Sequence, residues 1–215
     1  RRAQELGREP QQFVDSMVPP FVEAWQQLDI TNDDFIRTTS ERHKQGARRL
    51  WEKLEASGDI YLADYEDWYC VGCESFKTEK ELLPGNICPD HKKPVEKIRE
   101  QSYFFKLSAY QDKLLAYYDA NPDFVKPEGR FNEVKSFVRA GLKDLSISRS
   151  SFSWGIPVPN EPKHVMYVWL DALTNYVSAL GGPAEPGEAP LFDQFWGADA
   201  NIGHIVGKDI LRFHT

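Results

Sequence analysis

An α/β architecture is expected for this 215-residue chain, and three observations predict it. The first two are strand-to-helix turns in the last fifty residues: Tyr167-Val-Trp-Leu-Asp-Ala-Leu-Thr-Asn-Tyr176 and His204-Ile-Val-Gly-Lys-Asp-Ile-Leu-Arg-Phe-His214. Each starts as an apolar β-prone run, passes a charged or glycine-bearing turn, and continues with apolar residues at helical spacing. Open α/β sheets build ligand sites in this way, at the carboxyl ends of their strands. The third is the mixture of helical and strand periodicities upstream, interrupted by one compact cysteine and histidine pattern.

Taken in order, residues 1–28 carry Phe13, Met17, Phe21 and Trp25 at four-residue steps, which predicts a helix that Pro19-Pro20 must kink or break. Asp29 to Thr39 reads as a short strand and turn. A helix follows from about Ser40 to Ser57, with Ser40 as its cap and Gly58 as its stop. Ile60 to Val71 alternates aromatic and acidic residues as a strand does. Leu107 to Tyr118 and Glu133 to Gly141 read as helices, separated by a Pro-Asp and Pro-Glu-Gly loop. Strands are expected near Phe152 to Val158 and Val165 to Trp169, then a helix to Leu180 ended by Gly181-Gly182-Pro183. Gly181 to Pro190 is a short low-complexity loop, and the sequence carries no internal repeat.

All three cysteines and one histidine belong to a single pattern: Cys70-Val-Gly-Cys73, fourteen intervening residues, then Cys88-Pro-Asp-His91. Two close pairs joined by a short loop are what a tetrahedral Cys3His zinc site requires, each pair bent by its own turn so that both ligands point inward. An odd cysteine count speaks against a disulfide framework, and thiolates in a reducing, cytoplasmic setting suit metal. Four protein ligands leave no open position for water activation, so one structural Zn2+ is expected at Cys70, Cys73, Cys88 and His91. The loop has few large apolar residues, and metal binding would supply its folding energy.

Hydrophobic residues make up 41% of the chain and aromatic ones 13%, enough for a sizeable core. No run approaches eighteen apolar residues, so no membrane helix and no membrane partner is expected. A formal charge of -7 leaves no general electrostatic footprint for nucleic acid. The local clusters Arg42-His43-Lys44, Arg48-Arg49 and Lys92-Lys93 read as solvated faces.

Trp169, Leu173 and Tyr176 fall at i, i+4 and i+7, and Ile210, Phe213 and His214 at i, i+3 and i+4. Each set can share one helical face. By spacing alone such stripes are more often the mark of core packing. The two turns, however, resemble the methionyl-tRNA synthetases, a class I family, and the resemblance spans nearly the whole chain. It implies that Trp169, Ala172, Leu173, Tyr176, Ile210, Phe213 and His214 surround methionine. The chemistry is apt, because a thioether asks for aromatic surface and a few orienting polar groups. Some family members carry proline where Leu173 stands. By the same resemblance Gly207, Lys208 and Asp209 lie beside ATP, with Asp209 on the ribose and Lys208 toward phosphate; simple N-capping is the other reading of Asp209. Arg149 matches an arginine directed to the active site, although Leu145 replaces a tryptophan found in part of the family.

The resemblance further implies a Rossmann-like nucleotide-binding fold in two parts, 1–66 and 144–215, interrupted by a connective insertion at 67–143 that carries the zinc knuckle. The expected activity is ATP-dependent activation of methionine to methionyl-adenylate and transfer to tRNA(Met), with Mg2+ accompanying ATP and no side chain acting as a covalent catalyst. The family's His-Ile-Gly-His and Lys-Met-Ser-Lys-Ser motifs are not found. Asn201-Ile-Gly-His204 imitates the first in the wrong place, so the chain is expected to be an internal, inactive fragment of the catalytic region. Two alternatives stay open: another class I synthetase, such as one for leucine or valine, and a non-catalytic zinc-bearing module that binds RNA or protein.

Overall fold

The computed structural model describes residues 2–72, 75–77 and 79–215. Its helices are α1 (Arg2–Glu5), α2 (Pro10–Gln27), α3 (Glu41–Ala56), α4 (Gln111–Ala120), α5 (Glu128–Arg139), α6 (Val168–Ser178), α7 (Pro190–Trp196) and α8 (Leu211–His214). Its strands are β1 (Ile60–Cys70), β2 (Ser75–Lys77), β3 (Glu96–Phe105), β4 (Leu145–Ser146), β5 (Ser148–Arg149), β6 (Pro157–Val158) and β7 (Glu161–Met166). The chain divides into two compact units, residues 1–50 with 171–203, and residues 51–170 with 204–215. These limits do not coincide with boundaries near 66 and 143. The reason is strand pairing: β1 zips onto β3 across the first boundary, and β4 joins β3 across the second.

In the first unit, Pro10 opens α2, where its missing N–H would be unpaired in any case. Pro19 and Pro20 sit inside α2 without ending it, so of the kink or break expected there, the break does not occur. The carbonyls they leave unbonded belong to Asp15 and Ser16, which are exposed, so water can satisfy them. The chain breaks instead at Gly7, whose φ of 63° is readily reached by glycine. The strand expected in 29–39 does not form. Asn32 donates to the Asp34 carbonyl at 2.9 Å and the Phe35 N–H to the Asp34 carboxylate at 2.8 Å, local bonds that compete with a ladder. Helix α3 begins where expected, but the Ser40 hydroxyl is buried with no hydrogen-bond partner and does not cap it. The loop after Gly181 leads into α7, which Pro190 opens.

The second unit is built on a long antiparallel hairpin, with Ile60 opposite Phe105 and Tyr69 opposite Glu96. Its sheet runs β2-β1-β3-β4, and a second sheet runs β5-β7-β6. Gly58, with a φ of 76°, stops α3 as expected and turns the chain into β1, the Asp59 N–H bonding the Leu54 carbonyl at 2.9 Å. Strand β3 had no counterpart in the sequence reading. Its first half is charged, and pairing makes it a strand: Lys97 meets Glu66 at 2.8 Å and Arg99 meets Asp64 at 3.0 Å across the hairpin. Helices α4 and α5 close their own core around Tyr118, Val125, Phe131, Val134 and Val138.

The strand pairings β1–β2, β1–β3, β3–β4, β5–β7 and β6–β7 are all antiparallel. The apolar run before Gly207, expected as a strand, makes no ladder over residues 201–206, and Ile205 is fully exposed. The strand before α6 ends at Met166, short of Trp169: the Tyr167 N–H bonds the Ile147 carbonyl at 2.8 Å and the helix starts at once. No helix among the described residues is long and apolar enough to cross a membrane.

Candidate metal centre and substrate-facing residues

Strand β1 delivers Cys70 to the knuckle, and a tight loop returns Cys88 and His91 beside it. The loop is held by its own backbone: Cys88 N–H to the Lys93 carbonyl and Lys92 N–H to the Cys88 carbonyl, both at 2.9 Å. The ligand atoms of Cys70, Cys88 and His91 lie within 4.8 Å of one another. His91 Nδ1 is 3.9 Å from Cys70 Sγ and 4.0 Å from Cys88 Sγ. A tetrahedral zinc with bonds of about 2.3 Å to sulfur and about 2.0 Å to nitrogen separates such ligands by roughly 3.6 Å. The donors present therefore fit a zinc ion with shifts of a few tenths of an ångström. The fourth expected ligand, Cys73, lies outside the described residues.

Burial pushes the Cys88 thiol up, but the backbone N–H and imidazole of His91, the Cys70 thiol and the Asp90 backbone N–H outweigh it. The result is a thiol lowered to about 6, ionised at neutral pH as a metal ligand must be. Cys70 and Cys88 are both buried and form no disulfide. They pack with Val95, Trp68 and Leu82 into a small cluster of their own. Gly72, which drew no attention in the sequence, is a requirement of this packing: a Cβ there would stand 2.5 Å from His91 Cδ2. Its position between two cysteines was the available signal.

The residues expected around methionine are distributed over both units. Ala172, Leu173 and Tyr176 lie in the first, partly buried on α6; Trp169, Ile210, Phe213 and His214 lie in the second. Within the second unit Trp169 and Phe213 stack face to face, with ring centroids 3.6 Å apart and planes inclined by 8°. His214 Nδ1 bonds the Ile210 carbonyl at 2.9 Å, which leaves Nε2 as the ring atom directed elsewhere. Burial, and then the nearby His214, holds the His204 imidazole below its ordinary value.

Asp209 is not the cap that its position suggested. Helix α8 starts later, with Ile210 at its N-cap and no side-chain cap bond. The Asp209 carboxylate instead folds back over Gly207, where a Cβ would meet its Oδ1 at 2.5 Å. Lys208 and Asp209, with Glu133, Lys143 and Arg212, line a cavity of about 650 Å³.

Arg149 is buried, with 3% exposure. Its Nη1 donates to the Ser146 hydroxyl and, at 2.7 Å, to the Ser148 carbonyl. Its Nε lies 3.4 Å from Glu100, itself nearly buried, and its guanidinium sits 3.7 Å above the Tyr167 ring. The role expected toward ATP requires donors that here are directed into the interior of the second unit. Glu100 and Tyr167 were not foreseen, since a glutamate in a charged run carries no mark of burial. His43 corrects the reading of Arg42-His43-Lys44 as a solvated face, because it is fully buried.

The chain matches a family model described as tRNA synthetases class I (M) over residues 1–97 and 84–215. The fold is that of a class I tRNA synthetase, with mixed helices and sheets. Among curated proteins, methionine–tRNA ligase of Caldanaerobacter subterraneus subsp. tengcongensis is 51% identical over 215 residues, covering all of this chain and 33% of that protein. The Streptomyces coelicolor counterpart is 51% identical over 223 residues, covering all of this chain and 40% of that one. The crystal structure of Mycobacterium tuberculosis methionyl-tRNA synthetase bound by methionyl-adenylate superposes with a TM-score of 0.88 at 47% identity, over 99% of this chain and 42% of the other. Its free-state form gives 0.78 at 50% identity, over 90% and 39%. The chain belongs to the methionyl-tRNA synthetase family, and it spans about a third of the length of the first relatives it matches.

Proposed function

We propose that the protein carrying this chain is a methionine–tRNA ligase, which joins methionine to AMP from ATP and passes the methionyl group to tRNA(Met). The observation that carries this reading is identity near one half to methionine–tRNA ligases along the whole of the chain. Residues 1–66 and 144–215 are then the two parts of a Rossmann-like domain, and 67–143 are the connective insertion. Cys70, Cys73, Cys88 and His91 hold one zinc whose part is to fold the knuckle; with four protein ligands it takes no share in the reaction.

In the activation step the methionine carboxylate attacks the α-phosphate of ATP, a carboxylate-phosphate bond forms, and pyrophosphate leaves with the electrons of the broken phosphoanhydride bond. No side chain becomes covalently attached. The protein positions the reactants and supports charge, which by itself supplies large rate factors. Trp169, Ala172, Leu173, Tyr176, Ile210, Phe213 and His214 receive methionine. The stacked Trp169 and Phe213 rings offer aromatic surface for its sulfur, since thioethers make favourable contacts with aromatic rings. Gly207, Lys208 and Asp209 take ATP, whose phosphates arrive with Mg2+. Arg149 is read as supporting this site through Tyr167, two residues before Trp169, as much as through ATP itself.

The test is methionine-dependent ATP–pyrophosphate exchange by the protein in the full length of its relatives, with Trp169→Ala beside it. Removing a large aromatic from a core costs about 3–5 kcal/mol; allowing for partial exposure, the methionine KM should rise by tenfold or more while that for ATP changes little. Exchange stimulated by leucine or valine and not by methionine would overturn the reading.

A further inference from the structure

Helix α6 is gripped along one side by a single buried side chain. His43, on α3, is fully buried. Its Nε2 lies 2.7 Å from Asp171 Oδ1 and its Nδ1 2.8 Å from Ser178 Oγ. Asp171 and Ser178 are seven residues apart, so one imidazole spans two turns of the same helix face. Between them lies Thr174, 1% exposed. The backbones approach closely at this contact: a Cβ on Gly46 would come within 2.7 Å of Ser178 Cβ and 2.8 Å of the Gly182 carbonyl oxygen. Arg42 adds a bond to the Ala179 carbonyl at 3.3 Å just past the helix end. All these groups belong to the first unit.

The other side of α6 carries Ala172, Leu173 and Tyr176, all partly buried. At about 100° per residue they stand roughly 100°, 200° and 140° around the axis from Asp171, while Ser178 returns to within about 20° of it. The gripped face and the face with these three residues are therefore opposite. We propose that His43 is a positioning residue for methionine binding: by bonding Asp171 and Ser178 it sets the rotation of α6, and so the direction of Ala172, Leu173 and Tyr176. This inference rests on the reading of those three as methionine contacts. Side-chain ends on a helix lie about 5–6 Å from its axis, so a rotation of about 10° moves them by about 1 Å. A displacement of that size at a binding constellation is enough to cost one to two orders of magnitude in the reaction. The selection of histidine follows from the geometry. Its two ring nitrogens point in divergent directions and can serve two partners, which one hydroxyl or one amine on a short stem cannot reach.

The experiment uses the full-length enzyme with His43→Leu, Ser178→Ala and Tyr176→Ala, each verified as folded by near-ultraviolet circular dichroism. Methionine KM, ATP KM and kcat are read from pyrophosphate exchange. His43→Leu is expected to raise the methionine KM by about tenfold with the ATP KM within twofold of wild type. Ser178→Ala, which removes one of the two tethers and almost no volume, should give a smaller change in the same direction, and His43→Gln should restore part of the loss. If His43→Leu fails to fold, Ser178→Ala decides. Unchanged methionine KM in the folded tether variants, or equal change in both KM values, overturns the positioning role. Tyr176→Ala separates the two ideas: a tether variant without effect beside a damaging Tyr176→Ala refutes only His43, whereas a harmless Tyr176→Ala refutes the methionine reading itself.

Discussion

Alanine at position 72 would test the knuckle with one added methyl group. Its Cβ would stand 2.5 Å from His91 Cδ2, 2.7 Å from Cγ and 2.9 Å from Nε2. Ordinary contact begins near 3.4 Å, so the imidazole must retreat by close to 1 Å. Zinc ligands tolerate about 0.2 Å. The ring belongs to an exposed residue and can retreat toward solvent, and moving is what removes it as a ligand. Disturbing the support of a metal ligand weakens binding by about 10–100-fold, and here the ligand itself is displaced. The expected loss is at the upper end, about 100-fold or 2.7 kcal/mol. Competition for zinc against a chromophoric chelator would measure it, with melting curves recorded with and without zinc. The metal-free variant should melt near the metal-free wild type, and the difference should emerge only on zinc addition. Gly85→Ala is the control: its φ of 83° strains an alanine, but the nearest side-chain atom is Ile87 Cδ1 at 3.9 Å, so it should cost stability and leave zinc affinity alone. A Gly72→Ala protein that binds zinc as tightly as wild type would refute the arrangement of His91 among the sulfurs.

Two further outcomes follow from buried and tethered charges. Arg149→Met should destabilise the protein by about 3–5 kcal/mol in urea unfolding, because Glu100 would lose its compensating charge inside the fold; adding Glu100→Gln should recover much of it. A stable Arg149→Met with only its ATP KM raised would return Arg149 to the nucleotide. Burial pushes the Asp144 carboxyl up, but the Ser108 hydroxyl and N–H, the Tyr61 hydroxyl and Lys106 together outweigh it and leave it below the usual 3.8. A depressed carboxyl contributes stability that is present above its ordinary value and lost as pH falls below it. Asp144→Asn should therefore flatten the decline of urea midpoints as pH falls through and below 3.8, and an unchanged decline would remove Asp144 from the acid response.

Much of the local order was legible from residue chemistry. The helix over 41–56 and the stop at Gly58 follow from an amphipathic period and a residue that readily reaches a positive φ. Cys70, Cys88 and His91, which the structure brings together, could be grouped in advance because metal ligation imposes a spacing that few other constraints produce. Failures arose where surroundings beyond the local motif, solvent or distant strands, override local preference. Pro19-Pro20 did not break α2 because the affected carbonyls face water, and Asp209 is no cap because α8 starts a step later than its sequence suggests. A charged segment became β3 because β1 lies beside it.

Side-chain type and spacing, by themselves, determined the family and marked out the cysteine–histidine pattern and the two aromatic sets, since these depend on which atoms are available within a few residues of one another. Burial and rotation were decided only by tertiary contact. Neither the run Arg42-His43-Lys44 nor the run Glu100-Gln101-Ser102 contains any sign of which member turns inward. His43 does so because Asp171 and Ser178, more than 120 residues away, offer its two nitrogens partners in a space that Gly46 leaves open. Glu100 does so because Arg149 is there to meet it. A buried polar group is tolerable only where distant residues satisfy it, and that condition is a property of the folded molecule.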